Sequence, residues 1–177
     1  TAKMQDAAVT TAKIADANIT TGKLASSLDL SGKTVTYGLT DSDMPAGAVL
    51  QVQYMYTGGG ITATSQSYID TNVNVSITPT STSSKIMAFA NVGGCNKSAA
   101  GNSYMALQIV RDSTAIHIFE GEGGYNASGG VQSFGTCAGI KLDSPNTTSA
   151  VNYKIQIKNL GTSGSVSINN SGALSSI

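Results

Sequence analysis

The chain has 177 residues, enough for one domain of ordinary size and a smaller segment, but short of two full domains. Ten basic and ten acidic residues cancel, and 11% of positions are charged, against roughly 25% in an average soluble domain, while 40% are apolar. This excludes a nucleic-acid binder, which needs a basic stripe, and a disordered chain, which pairs low hydrophobicity with high net charge; no apolar run approaches the ~18 residues of a membrane-crossing helix.

Residues 1–40 repeat with a period of ten: TAKMQDAAVT, TAKIADANIT, TGKLASSLDL, SGKTVTYGLT. Lysine returns at Lys3, Lys13, Lys23 and Lys33, and a hydroxyl residue opens each unit. Large apolar residues fall every five positions, at Met4, Val9, Ile14, Ile19 and Leu24. A helix wants a spacing of three and four and a strand wants two, so five suits neither. One local solution alternates a turn capped by Thr11 with an extended piece at Asn18–Thr20. Another is a pentapeptide-like solenoid, for which five units make little more than one coil. Either way the ladder of bulky side chains has no cover within its own segment. An intertwined three-fold shaft with Met4, Val9, Ile14, Ile19 and Leu24 as its core supplies that cover and turns the lysines and aspartates to water. Ser31-Gly32-Lys33-Thr34 imitates the end of a phosphate-binding loop, but Ser27 stands where the first glycine belongs, and the repeat already accounts for Lys33.

Pro45 and Gly47 mark a boundary, which gives a shaft and neck over 1–43 and a head over 44–177. Beyond it the apolar period becomes two. Leu50, Val52, Tyr54 and Tyr56 read as a first strand, and Val73, Val75 and Ile77 as a second. Ile86, Ala88, Ala90 and Val92 form one face of a third. Met105 to Ile109 and Ile116 to Ile118 flank a turn at Arg111–Thr114 and predict a hairpin over 104–120. Residues 133–142, 151–158 and 166–168 add three more strands, and 174–177 begins another. About eight strands separated by Gly, Ser, Asn and Pro predict an all-β head, an antiparallel β-sandwich of jelly-roll type.

Cys95 and Cys137 lack metal-ligand spacing; the sequence leaves a disulfide between them open, though two isolated cysteines read more readily as free thiols, and His117 sits as one polar residue on a strand. No nucleophile motif accompanies that single histidine. Glu120 and Glu122 would stand ~7 Å apart on a strand, but they occupy a glycine loop, with Asp143 they are three scattered acids, and neither catalysis, a metal nor a cofactor is expected. Recognition falls to the loops. The stretch 57–70 carries three glycines, 93–103 carries Asn96 and Lys97, 121–130 carries Tyr125 and Asn126, and 143–150 carries Asn146. An aromatic ring amid amide and hydroxyl donors is how neutral sugars are held, which makes Tyr125, Asn126, Asn96, Lys97 and Asn146 the receptor-binding candidates.

The run TAKIADANIT-TGKLA resembles the shafts of tail fibres from bacterial viruses, especially marine and cyanobacterial ones. MPAGAVLQVQY, SITPTSTSSKIMAFANVGG, LQIVRDSTAI and KLDSPNTTSAVNYKIQI resemble the C-terminal β domain found on many such fibres. The resemblance covers most of the chain. It implies a homotrimeric virion fibre, assembled in the host cytoplasm and joined to other tail proteins on its N-terminal side. Its distal head would contact a host surface receptor, a glycan or a protein. A structural or capsid-decorating fibre without a receptor is the alternative. Asp29 and Thr34 break the apolar ladder, which places the end of the shaft near residue 30.

Overall fold

A computed structural model describes residues 43–45, 47–98, 102–124 and 132–177. The repeat, with Met4, Val9, Ile14, Ile19 and Leu24, lies outside the described residues, as do Tyr125 and Asn126. Ala46–Ile177 forms one compact unit. Its strands are β1 (Tyr56–Thr57), β2 (Ile61–Ala63), β3 (Ile69–Ile77), β4 (Ile86–Lys97), β5 (Met105–Arg111), β6 (Thr114–Gly123), β7 (Gln132–Asp143), β8 (Val151–Asn159), β9 (Val166–Ile168) and β10 (Ser175–Ser176).

These strands build two antiparallel sheets. In the front sheet, β4 pairs with β7 along one edge. Along the other edge β4 pairs with β10 at Asn91–Val92 and with β9 at Asn96–Lys97. Beyond these lie β1 and β2 respectively. The back sheet runs β3-β8-β5-β6. The pairs β5–β6, β4–β7, β3–β8 and β1–β10 nest inside one another along the sequence, which is the winding of a jelly roll.

Sequence alternation dictates the faces. In β8 the residues Val151, Tyr153, Ile155 and Ile157 are buried and the polar residues between them are half-buried. In β4 the residues Ala88, Ala90 and Val92 point into the core. One core joins both sheets, with Leu107, Ile109, Tyr153 and Ile155 from the back and Ala90, Val92, Cys95 and Val166 from the front.

Three expectations need correction. Leu50, Val52 and Tyr54 lie outside any ladder; pairing begins at Met55, which exchanges two backbone hydrogen bonds with Ile177, and continues through Tyr56–Thr57. Leu50, Val52 and Tyr54 are exposed, while Met55 packs on the core. The stretch 57–70 contains a short strand, β2. Residues 93–97 continue β4 instead of forming a loop, because a bulge absorbs the register skip between Val92 and Cys95. Gly94 takes φ 59 there, and a Cβ on it would meet the Asn170 backbone at 2.5 Å, so the bulge needs glycine.

The edges of the two sheets meet where β6 approaches β7. A Cβ on Gly139 would stand 2.5 Å from Cβ and Cγ of Phe119. Gly139→Ala is therefore expected to destabilise the head by about 1–3 kcal/mol through overpacking, although alanine suits a strand better than glycine. Chemical denaturation checks this; unchanged stability would show that the β6–β7 seam yields freely.

Candidate functional site

The structure disperses the loop candidates. Asn96 and Lys97 close β4 beside Gln132, and Asn146 follows the other end of β7 beside Ile86. Eleven strand steps separate those ends, roughly 30 Å or more at ~3.3 Å per residue. Asn96 is half-buried and its Oδ1 accepts the Ser167 hydroxyl across the β4–β9 pair. Lys97 is 0% exposed, so it is a core residue and not a surface contact. Its alternation with Cys95 turns it into the sandwich once β4 is extended past the bulge. Asn146 is exposed and takes φ 54, a left-handed conformation that asparagine tolerates in turns. Gly124 and Gln132, which flank the segment holding Tyr125 and Asn126, lie at the Lys97 end.

At the opposite end three side chains tie the sheets together. Arg111 of β5 donates from Nη1 to Asp143 Oδ2 of β7 at 2.7 Å. The Tyr153 hydroxyl of β8 donates to the same oxygen at 2.7 Å. Burial alone would raise the Asp143 carboxyl, but the Tyr153 hydroxyl and the Arg111 guanidinium offset it and hold the group below the usual carboxylate range. Burial and the Asp143 carboxylate push the Tyr153 hydroxyl up, so it remains a donor. The arrangement clamps the sheets through one carboxylate oxygen, Asp143 Oδ2, which both donors share.

Cys95 and Cys137 are both free and buried. Cys137 lies 3.7 Å from Glu120 Oε2, and Cys95 donates to the Val92 carbonyl at 3.3 Å. The neighbouring Cys95 thiol, burial and the Glu120 carboxylate push the Cys137 thiol up, the reverse of what a thiolate nucleophile needs. Glu120 and Glu122 lie on β6 and not in a glycine loop; Glu120 Oε1 accepts the Glu122 backbone N–H at 3.1 Å, and Asp143 belongs to the separate clamp. His117 is half-buried beside Phe119, with ring centroids 6.5 Å apart.

The outer faces of the two sheets differ sharply. On the back sheet Asp70, Asn72, Asn74 and Ser76 stand beside Asn152, Lys154 and Gln156. Lys154 and Gln156 donate to the two oxygens of Asp70 at 2.7 and 2.6 Å, and Gln108 donates to Gln156 at 2.7 Å. These contacts draw the Asp70 carboxyl down, Lys154 foremost. On the front sheet Phe89 pairs with Ile140 and Met87 with Leu142, and all four are more than half exposed. Tyr54 and Tyr56 stack with ring centroids 6.5 Å apart on the exposed 47–57 segment. Between that segment and β4 runs a groove of about 830 Å³, lined by Val75, Ile77, Ile86, Ala88 and Ile177 among others. Sequence reasoning missed this face, because Ile86, Ala88 and Ala90 drew attention to the inner side. The signal was the unbroken run Ile86–Ala90, which pure alternation does not produce.

No family model and no curated relative matches the chain. Among solved structures it is similar to the infectious bursal disease virus Gx strain, at 15% identity and TM-score 0.31, over 82% of this chain and 42% of that one. It is also similar to the VP2 subviral particle of infectious bursal disease virus, at 16% identity and TM-score 0.31, over 87% and 45%. The chain thus spans less than half the length of those structures, and an overlap this slight transfers no function.

Tyr153→Phe keeps the ring and removes one hydrogen bond to a largely buried carboxylate, so a loss of about 1.5–3 kcal/mol is expected at pH 7. The Asp143 carboxyl sits below its ordinary value near about 4, so its stabilisation is complete above that pH and vanishes as the pH falls through the folded-state titration. Urea unfolding of wild type and Asp143→Asn at pH 7 and pH 3 checks the sign: the gap between them narrows at pH 3.

Proposed function

We propose that this chain is the distal part of a virion fibre of a bacterial virus, a homotrimer whose head attaches the particle to the host cell surface. One observation carries this reading: a decapeptide repeat that cannot cover its own apolar ladder is followed, in the same chain, by a jelly-roll sandwich. The repeat supplies a rod by association of copies, and the sandwich supplies a rigid carrier for loops. Those loops are rich in Gly, Ser, Thr and Asn, and only about 11 charges fall in residues 44–177, so an uncharged glycan or a protein surface suits them better than a charged ligand. The segment holding Tyr125 and Asn126, whose flanking residues Gly124 and Gln132 lie at the Asn96 end of β4, is the first place to look for the receptor contact.

A structural or capsid-decorating role is the second reading, and one observation favours it. Lys97 is buried and Asn146 stands at the far end of the sandwich, so the five candidates do not converge on one surface.

Adsorption separates the two. The purified chain is expected to have the mass of three copies by light scattering and to compete with the virus for host cells. Tyr125→Ala together with Asn126→Ala is expected to weaken that competition while leaving the mass unchanged. A trimer that neither binds the cells nor competes would leave the decorating role.

A further inference from the structure

We infer that the outer face of the front sheet, together with the 47–57 segment, is the surface on which the heads of separate copies of this chain pack against one another. The inference deepens the fibre reading and rests on it for the number of copies.

It starts from β4 and β7. A strand with one face in a core and the other in water alternates apolar with polar, and a strand covered on both faces reads as a continuous apolar run. Residues 86–90 read Ile-Met-Ala-Phe-Ala and 137–140 read Cys-Ala-Gly-Ile, and half-buried Lys141, opposite Ala88, ends the second run. The inward set, Ala88, Ala90 and Cys137, is small and buried. The outward set, Met87, Phe89, Ile140 and Leu142, is large and exposed. The back sheet carries amides, hydroxyls and charges on its outer face, so the front sheet is exceptional within the same molecule.

The N-terminal segment extends this face. Val49, Val52, Tyr54 and Tyr56 are each more than 60% exposed. Tyr56 pairs with Ser176, which pairs with Asn91, so Tyr56 stands on the same side of the sheet as Phe89. At 150–250 Å² per aromatic side chain and less per aliphatic one, these residues with the β4–β7 set expose on the order of 1,000 Å². A monomer's largest apolar patch measures about 300–600 Å², and a stable pairwise interface buries about 800 Å² per partner. The area therefore matches an interface between folded copies.

The groove lies along the same face, and Tyr54, Met87, Phe89 and Leu142 line it too. Its 830 Å³ opens between the extended segment and the wall formed by Ile86, Ala88, Val75 and Ile77, so apolar side chains from outside the unit have a place to enter. Charge points to the same occupant. The outward residues of β4 and β7 and those at 48–56 carry no charge, so a second copy brings no like charge against it. Lys85 at the rim is held by Ser144 Oγ at 2.7 Å.

Hydroxyl-radical footprinting of the full chain, read by mass spectrometry beside light scattering, tests this. Ile118, 58% exposed on the back sheet, is the reference for free access, and buried Met105 is the reference for protection. The expected result is an oligomer in which Met87, Phe89 and Tyr54 are labelled several-fold more slowly than Ile118. Phe89→Glu with Ile140→Glu should restore fast labelling at Met87 and Tyr54 while Ile118 is unchanged. Both side chains stand outside the core, so circular dichroism should report an intact fold. An oligomer whose Met87 and Phe89 are labelled as fast as Ile118 would overturn the inference and leave the fibre reading standing. A single-copy particle with a freely labelled face would overturn the inference and the homotrimer together. A single-copy particle with a protected face would overturn it in favour of cover by the chain's own residues 1–42.

Discussion

The narrow space between the two sheets governs the rest of the head, because stacked sheets sit ~10 Å apart and the side chains of both faces must share that gap. The back sheet fills it with Leu107, Ile109, Tyr153, Ile155 and Ile157, all buried. The front sheet yields room with Ala88, Ala90, Gly139 and Cys137. The same economy explains Gly139 against Phe119, where no Cβ fits. It also explains the clamp. Tyr153 spans the interior as a ring, and its hydroxyl emerges where Asp143 and Arg111 close the end of the sandwich. A buried ring with a polar tip needs such a partner, and a lone buried carboxylate would need one still more.

Once the small residues face inward, period two sends the large residues of the front sheet outward. Met87 and Phe89 are exposed because Ala88 and Ala90 are not. A one-residue slip of β4 would exchange the sets and overfill the gap, so the exposed row is a consequence of register. The back sheet meets water differently. Asp70, Lys154, Gln156 and Gln108 satisfy one another across three strands. Exposed ion pairs of this kind add little stability, so their role is to keep that face polar and ordered.

Much of the fold was legible in the sequence. Val151, Tyr153, Ile155 and Ile157 announced a central strand, and the Asp112–Ser113 turn between β5 and β6 is where local turn chemistry places it. The bulge at Gly93–Gly94 was not legible, because Gly-Gly followed by Asn-Lys has the composition of a loop. What makes it a strand is pairing with residues 132–135 and 166–167, which lie far along the chain. The same non-local pairing buried Lys97 and removed it from the candidate contacts. Residues 50–54 failed in the opposite sense. Their alternation is that of a strand, but within the described residues no neighbour completes the ladder, and Leu50, Val52 and Tyr54 stay exposed. The site was less legible than the fold, since Gly, Ser and Asn mark loops without saying which end of a sandwich each loop reaches.

The repeat and the front sheet make the same demand by different means. At the sequence level Met4, Val9, Ile14, Ile19 and Leu24 recur every five residues, a spacing that no single helix or strand can bury. In the folded head, Met87, Phe89, Ile140 and Leu142 form a row that one sandwich leaves uncovered. Association would be opposed by repulsion in a strongly charged chain, but ten positive and ten negative residues leave no net charge to oppose it. Neutrality that would be a solubility hazard for a monomer is harmless when the apolar rows are covered by sister copies. On the proposed fibre reading, a composition with few charges and many small polar residues suits a chain that packs against copies of itself and still offers hydrogen-bonding loops.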